Sequence, residues 1–149
     1  AYRSTGDAAR VNVYHRLEAG AHLDWLPQET ILFDASHVAR ETTIDLEQDA
    51  SCLMLESVVL GRAAMGETVT RTTLRDTRRI TRAGKPVLLE PLHLTTDALT
   101  AGLAILQGAR AFATLVLVAQ GAEDAAPRVR DMLDEPGVSG GLRALTASW

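Results

Sequence analysis

Apolar and polar residues alternate with a period of two through the first two thirds of the chain. In residues 11–18, Val11, Val13 and Leu17 share one parity and polar side chains hold the other, which is the pattern of a half-buried β-strand. Similar but less regular segments predict further strands at residues 30–33, 41–46, 51–60, 68–81, 87–94 and 111–119. A mostly β or α+β fold is therefore predicted.

Four of these segments also carry expectations about their surroundings. Both parities are largely apolar in residues 51–60, as in a strand covered on both faces. Residues 68–81 are rich in Thr and Arg, which predicts a solvated strand pair with Thr-lined faces. Pro91 favours an edge position or a bulge for residues 87–94. Residues 111–119 predict a buried strand.

Helical spacing of apolar residues appears in the C-terminal third. It predicts one helix at residues 98–107, with Asp97 as its N-cap and Gly108 placed to end it. A second helix is predicted at residues 123–133. Strands followed by helix, strand and helix favour one domain of the mostly β or α+β class.

Composition narrows the class of protein. The 149 residues suit a single domain, and a net charge of −4 argues against general nucleic-acid binding. Cys52 is the single cysteine, so no intrachain disulfide can form, which fits a reducing cytosolic setting. The chain has no apolar stretch approaching the roughly 18 residues of a membrane span.

Catalytic constellations are sparse in the sequence. The four histidines are scattered, and none forms a His-x-x-x-His pair. Cys52 lies in an apolar strand pattern, where a thiol behaves as a small hydrophobe. One segment offers the carboxylates of Asp24, Glu29 and Asp34, and another offers Glu56 and Glu67. They leave open a small β-rich hydrolase that uses paired carboxylates. A generic β interaction module is a further alternative.

Two further features carry structural expectations. Gly61 is predicted to adopt a positive φ, so that Gly61→Val should disrupt folding. The one dense basic stretch predicts a solvated face, with a binding surface for an acidic partner as the sharper alternative. Its members are Arg71, Arg75, Arg78, Arg79 and Arg82.

Two motifs carry a family resemblance. Residues 23–34 read Leu-Asp-Trp-Leu-Pro-Gln-Glu-Thr-Ile-Leu-Phe-Asp, and Glu56 is followed at residues 60–67 by Leu-Gly-Arg-Ala-Ala-Met-Gly-Glu. Together with the opening Tyr2-Arg3-Ser4, they resemble the urease accessory protein D family (UreD, called UreH in some systems). The resemblance covers residues 1–96 well and the tail more loosely. Family members are longer, so residues 1–149 are expected to be one UreD-like domain truncated at both ends.

The resemblance implies a fold and a function. The fold would be a stacked-strand β scaffold, with a helical-type arrangement of strands and two helices. The protein would be a cytoplasmic chaperone of urease maturation and not an enzyme. It would bind the urease apoprotein and the accessory protein UreF, which recruits the nickel-carrying GTPase UreG for nickel insertion. No stably bound cofactor is implied, and nickel would pass in transit, with a water-filled passage through the scaffold as its route.

The motif residues divide into structural and polar candidates. Pro27 fixes φ and removes a backbone donor, so the strand must bend or end there. Trp25, Leu26 and Phe33 are predicted to pack in the core, with Trp25 pointing inward. No catalytic or metal-binding residue is assigned. The candidates for lining a polar passage or contacting a partner are Gln28, Glu29, Asp34, Arg62 and Glu67.

Overall fold

The computed structural model describes residues 6–101, 106 and 108–141. Within these ranges the chain forms seven strands, a short helix, an eighth strand and a second short helix, with 3₁₀ turns at Ala63–Met65 and Ala122–Ala125. The strands are β1 (Ala9–Leu17), β2 (His22–Trp25), β3 (Thr30–Leu32), β4 (Ser36–Leu46), β5 (Ser51–Leu60), β6 (Thr72–Arg82), β7 (Lys85–Leu94) and β8 (Ala111–Val118). The helices are α1 (Thr96–Thr100) and α2 (Ala126–Leu133).

The strands form two four-stranded sheets. Sheet A has the order β1-β4-β6-β7, in which β1, β4 and β6 are parallel and β7 is antiparallel to β6. In sheet B, β5 pairs with β8 in the antiparallel sense and with β2 and β3 in the parallel sense. Since β8 takes one edge of β5, β2 and β3 share the other edge, end to end.

The chain winds from one sheet to the other and back. From β1 it passes to β2 and β3 in sheet B, to β4 in sheet A, to β5 in sheet B, and to β6 in sheet A. Ala9 pairs with Val38, 29 residues later, and Ser36 pairs with Thr72, 36 residues later. Each circuit therefore stacks on the one before it. The predicted mostly β fold, with a helical-type arrangement of strands and two helices near the C-terminus, is confirmed.

The break between β2 and β3 lies around Pro27. Trp25 is opposite Met54, and Thr30 is opposite Val58. The chain thus advances five residues from β2 to β3 while β5 advances four. The segment around Pro27 therefore contains one extra residue, which forms a bulge. The predicted bend is confirmed.

The apolar residues of the motif differ in their burial. Trp25 packs against the core, as predicted. Leu26 is 53% exposed, so its predicted place in the core is wrong, because it lies in the segment that bulges away from β5.

Two apolar clusters fill the space between the sheets. The first core cluster contains Leu17, Ile44, Leu46, Ala50, Cys52, Met54, Ile80 and Val118. The second core cluster contains Leu32, Val58, Leu60, Leu74 and Leu94. Each cluster draws on strands of both sheets, so hydrophobic burial holds the sheets face to face.

The predicted solvated strand pair at residues 68–81 is wrong. A single strand, β6, occupies Thr72–Arg82, and every second side chain along it is buried. Leu74 and Ile80 face the core, and Asp76 and Arg78 share their parity and are carried inside with them. The predicted solvated face is therefore also wrong for Arg78 and Arg82, whereas the side chains of Arg71, Arg75 and Arg79 are exposed.

The predicted cover on both faces of residues 51–60 and the predicted burial of residues 111–119 are wrong as well. Leu55 on β5 is 38% exposed, and Leu115 on β8 is 49% exposed. The two residues are paired across the strands. Both belong to the face of sheet B that points away from sheet A, and the described residues leave that face partly open.

The C-terminal predictions have mixed outcomes. Pro91 lies in β7 at the edge of sheet A, as predicted. The N-cap of α1 is Thr95, so the prediction of Asp97 was wrong; Asp97 lies in the first turn, where a negative charge favours the helix dipole. The predicted helix at residues 98–107 lies partly outside the described residues.

The second predicted helix is confirmed, except that its first turn is the 3₁₀ segment Ala122–Ala125. Within the described ranges, neither helix has the length and apolar character needed to cross a membrane.

Candidate functional site

Three of the five predicted polar residues meet where β3 and β5 end. The Asp34 carboxylate accepts hydrogen bonds from the backbone N–H of Thr70 at 2.7 Å and of Arg71 at 3.0 Å. It also accepts one from the Thr70 hydroxyl at 3.0 Å. These bonds tie the loop that precedes β6 to the turn that follows β3.

Glu67 completes this cluster, which we call the loop clamp (Asp34, Arg62 and Glu67). One Glu67 oxygen accepts from the Asp34 backbone N–H at 3.3 Å. The other accepts from the Arg62 backbone N–H at 3.1 Å and from Arg62 Nε at 2.8 Å. The Arg62 guanidinium lies 4.6 Å from the ring centroid of Phe33, a cation–π contact that also fixes the loop.

The loop clamp keeps both of its carboxylates ionised. Backbone hydrogen bonds from Thr70 and Arg71 lower the pKa of Asp34. The side-chain hydrogen bond from Arg62 lowers the pKa of Glu67. A paired-carboxylate hydrolase needs one carboxyl whose pKa is raised so that it can donate a proton. The loop clamp therefore suits a structural role better than acid catalysis.

Gln28 and Glu29 lie apart from the loop clamp, in the break between β2 and β3. Both side chains are exposed. Neither makes a side-chain hydrogen bond or ion pair with another residue in the described ranges. The structure thus brings together Asp34, Arg62 and Glu67 and leaves Gln28 and Glu29 separate at the surface.

A second polar group lies in the interior, between the two core clusters. We call it the buried ionic layer (Arg40, Glu56, Asp76 and Arg78), and each member is at most 9% exposed. Arg40 donates to both Asp76 carboxylate oxygens, at 2.9 and 2.6 Å. Arg78 donates to Asp76 at 2.6 Å and to Glu56 at 2.8 Å. Arg40 and Glu56 approach to 3.3 Å. Two cations and two anions thus balance one another within the layer.

Glu56 is bonded through both of its carboxylate oxygens. Its second oxygen accepts from Trp25 Nε1 at 3.0 Å and from the Thr42 hydroxyl at 2.8 Å. Burial opposes ionisation of this carboxyl. Hydrogen bonds from Trp25 and Thr42, with the charge of Arg40 and the bond from Arg78, outweigh that effect and lower its pKa. The carboxylate therefore stays charged inside the protein.

The outer ends of the two arginines reach further strands. Arg40 donates to the Thr30 hydroxyl on β3 at 3.0 Å. Arg78 donates to Glu90 on β7 at 3.0 Å, and Glu90 is partly exposed. The buried ionic layer and its direct partners therefore join all the strands from β2 to β7. Such a layer fixes how successive circuits of the chain sit on one another.

Sequence reasoning missed Arg40 and Asp76. It named Arg78 as part of a solvated basic stretch, and it singled out Glu56 as a carboxylate without its partners. One signal was available for β6, where Asp76 and Arg78 have the parity of Leu74 and Ile80. Because side chains alternate along a strand, burying Leu74 and Ile80 also places Asp76 and Arg78 in the protein interior.

The thiol does not provide a nucleophile. Cys52 is fully buried in the first core cluster, as predicted. Burial raises its pKa to about 11, so it stays protonated near neutral pH. Within the described ranges, no three His, Cys, Asp or Glu side chains are grouped so that they could hold a metal ion.

The fold and the buried ionic layer define a helically wound, two-sheet β protein with charged residues in its interior. Comparison with known proteins narrows this class. The family model described as "UreD urease accessory protein" matches residues 1–149. The chain belongs to the UreD family.

Relatives in several bacteria agree with this assignment. The chain is 57% identical over 146 residues to the urease accessory protein UreD of Cereibacter sphaeroides (strain ATCC 17025 / ATH 2.4.3), which covers 97% of the chain and 53% of the relative. It is 46% identical over 133 residues to that of Chelativorans sp. (strain BNC1), covering 89% and 48%. It is 42% identical over 146 residues to that of Paracoccus denitrificans (strain Pd 1222), covering 97% and 52%. The chain thus spans about half the length of these curated relatives.

Proposed function

We propose that the protein is a cytoplasmic, non-catalytic chaperone of urease maturation. It binds the urease apoprotein and the accessory protein UreF, through which the nickel-carrying GTPase UreG joins the assembly. The assembly supports insertion of nickel into the urease active site, and the metal is cargo in transit. The observation that carries this proposal is the match of a urease accessory protein family along residues 1–149.

The geometry is well suited to such a scaffold. The buried ionic layer is balanced in charge and links strands of both sheets, which supports a structural role for the interior. The loop clamp holds the ends of β3 and β5 in the same way. Partner binding then falls to the outer faces of the two sheets and to exposed segments such as residues 26–29. Gln28 and Glu29 are proposed partner contacts, and a passage or contact role stays a prediction for Asp34, Arg62 and Glu67.

The test uses the protein at its natural length in a urease-producing host. A tagged copy is expected to co-purify with the urease apoprotein and UreF. Deletion of its gene is expected to leave urease with little nickel and little activity, and a plasmid copy should restore both. Nickel is measured by mass spectrometry on purified urease. Full nickel content in the deletion strain would overturn the proposal.

A Gln28→Ala/Glu29→Ala variant tests the proposed contact. It is expected to fold normally, because both side chains are exposed, and to recover less urease and UreF in the same purification. Thermal unfolding of the variant checks the fold. Undiminished recovery of both partners would remove these residues from the contact surface.

A further inference from the structure

The outer face of sheet A carries a charge opposite to that of the whole chain. The parity of the strands assigns its charged members: Arg10 and Arg16 on β1, Glu41 and Asp45 on β4, and Arg75 and Arg79 on β6. Four arginines and two carboxylates sum to +2 on this face, whereas the chain as a whole carries −4. Arg16 is already paired with Glu18 at 3.5 Å and Glu47 at 3.4 Å, so the surplus positive charge lies on the other three arginines. We call this four-stranded surface the basic face.

Three of these arginines are available to a partner. The side chains of Arg10 and Arg75 make no hydrogen bond or ion pair with any residue in the described ranges. Arg79 acts on Asp45 only through its charge. Arg75 and Arg79 are four residues apart on one strand, and thus about 13 Å apart.

The carboxylate of Asp45 is already engaged by neutral donors. It accepts hydrogen bonds from the Tyr14 hydroxyl at 2.8 Å and from the Thr81 hydroxyl at 2.6 Å. These neutral donors hold the carboxylate in place but leave its negative charge, which acts on Arg16 and Arg79. Among the charged residues of the basic face, only Glu41 has a carboxylate whose side chain makes no hydrogen bond or ion pair in the described ranges.

One end of the basic face opens into a depression of about 230 Å³. His37 and Thr73, which are paired across β4 and β6, form part of its wall. Arg71 and Thr96 line it as well. A cation, an imidazole and hydroxyl groups around a small open space suit a carboxylate side chain from another protein.

We propose that the basic face is a docking surface for a protein whose own surface is acidic. The inference rests on the proposed function and deepens it by locating one partner surface and stating its charge. Separate arginines set among threonines, with Glu41 between them, match a protein that presents carboxylates at defined positions. A nucleic acid fits less well, because it presents a continuous row of phosphates that Glu41 and Asp45 would repel.

The test compares two double charge reversals in the protein at its natural length. Arg75→Glu/Arg79→Glu changes the basic face. Arg128→Glu/Arg130→Glu makes the same change in charge on the exposed surface of α2 and is the matched control. Circular dichroism and thermal unfolding are used to check that both variants fold. Arg75→Gln/Arg79→Gln, which removes charge without reversing it, serves if the first variant is unstable.

Binding is measured with probes that separate the possible partners. Poly-L-glutamate is expected to bind the unmodified protein and the control, and at least about tenfold more weakly to the face variant, with the loss greatest at low salt. Equal binding of poly-L-glutamate by all three proteins would overturn the inference. Stronger binding of the basic face to duplex DNA or to phosphatidylserine vesicles would also overturn the inference. Self-association of the unmodified protein that is lost in the face variant would overturn it as well.

Urease apoprotein and UreF, each immobilised separately, complete the experiment. Association with at least one of them is expected to slow in the face variant and to be unchanged in the control. If the unmodified protein binds neither partner, the proposed function fails, while the poly-L-glutamate result still decides the inference. If it binds both and the face variant binds them equally well, the inference fails and the proposed function stands.

Discussion

Replacing Glu56 by glutamine should remove a large part of the stability of the fold. The change keeps the size of the side chain but deletes one of the two negative charges in the buried ionic layer. Arg78, which is 1% exposed, then loses its 2.8 Å partner, and Arg40 loses a charge 3.3 Å away. Removing one partner of a buried ion pair costs about 3–5 kcal/mol.

The loss can be measured by urea unfolding of the full-length protein, followed by far-UV circular dichroism. With a slope of about 2 kcal/mol per molar urea, the expected loss lowers the midpoint by about 1.5–2.5 M. Glu41→Gln makes the same chemical change on the exposed side of β4, and it should alter the free energy of unfolding by no more than about 0.5 kcal/mol. Equal midpoints for the Glu56 and Glu41 variants would refute the reasoning.

Removal of a balanced pair supplies a second check. In Glu56→Leu/Arg78→Met the doubly bonded pair of Arg40 and Asp76 remains, and the partly exposed Glu90 can be hydrated. Replacing a buried ion pair by apolar residues of similar size is often neutral. The double variant should therefore be more stable than Glu56→Gln, although it differs from the unmodified protein at more positions.

The stabilising effect of Glu56 should also depend on pH, which the Glu56→Gln variant can test. The pKa of Glu56 is lower in the folded protein than its ordinary value of 4.5. Its contribution to stability is therefore present above pH 4.5 and is lost as the pH falls through the folded-state pKa. The difference in free energy of unfolding between the unmodified protein and Glu56→Gln should shrink below pH 4.5. A difference that stays constant from pH 6 to pH 3 would show that the ionisation of Glu56 is not coupled to folding.

Three further outcomes follow from single positions. Gly61 and Gly66 have nearly equal positive φ angles of 70° and 69°. A Cβ added at Gly61 would lie 3.1 Å from the backbone oxygen of Glu67, whereas a Cβ added at Gly66 would have no atom within 4 Å. Gly66→Ala should therefore cost about 1–2 kcal/mol in thermal unfolding, and Gly61→Ala about 1–3 kcal/mol more; equal losses would contradict this. The Cys52 thiol should react with a thiol reagent at pH 8 only at the rate of unfolding, and rapid labelling of the native protein would contradict its burial. Asp34→Asn should lower the melting temperature near neutral pH and weaken the loss of stability on acidification through the carboxyl range, because the pKa of Asp34 is lowered in the fold; parallel pH profiles would count against this.

The sequence predicted the scaffold better than the cover of each strand. Alternation along residues 11–18 gave β1 because one parity is apolar and the other polar. Along β5 and β8 both parities are apolar, and such a pattern cannot distinguish a strand buried on both sides from one whose outer face awaits a partner. The exposure of Leu55 and Leu115 thus depends on what packs on sheet B, and no local pattern records that.

The candidate site divides in the same way. Asp34 and Glu67 were found because they belong to the family motifs, and their partners lie within reach of the loops that carry them. Arg40 and Asp76 are 36 residues apart, and Glu56 and Arg78 are 22 apart. Only the length of each circuit brings such pairs together. An isolated arginine is far more stable in water than in a protein core, so the sequence alone predicts a surface position for Arg78.

The buried ionic layer also does something that the apolar clusters cannot do. If β6 slipped by two residues along β4, the same faces would stay buried and the apolar pattern would still be satisfied. Arg40, now beside Asp76, would instead face Leu74 or Arg78, which leaves a buried charge unpaired or opposed. We therefore expect the layer to fix the register between circuits. Replacing all four members by Leu or Met should retain a folded, β-rich protein but give several sets of amide signals in its NMR spectrum. A single, sharp set would show that the apolar clusters and loops alone determine the register.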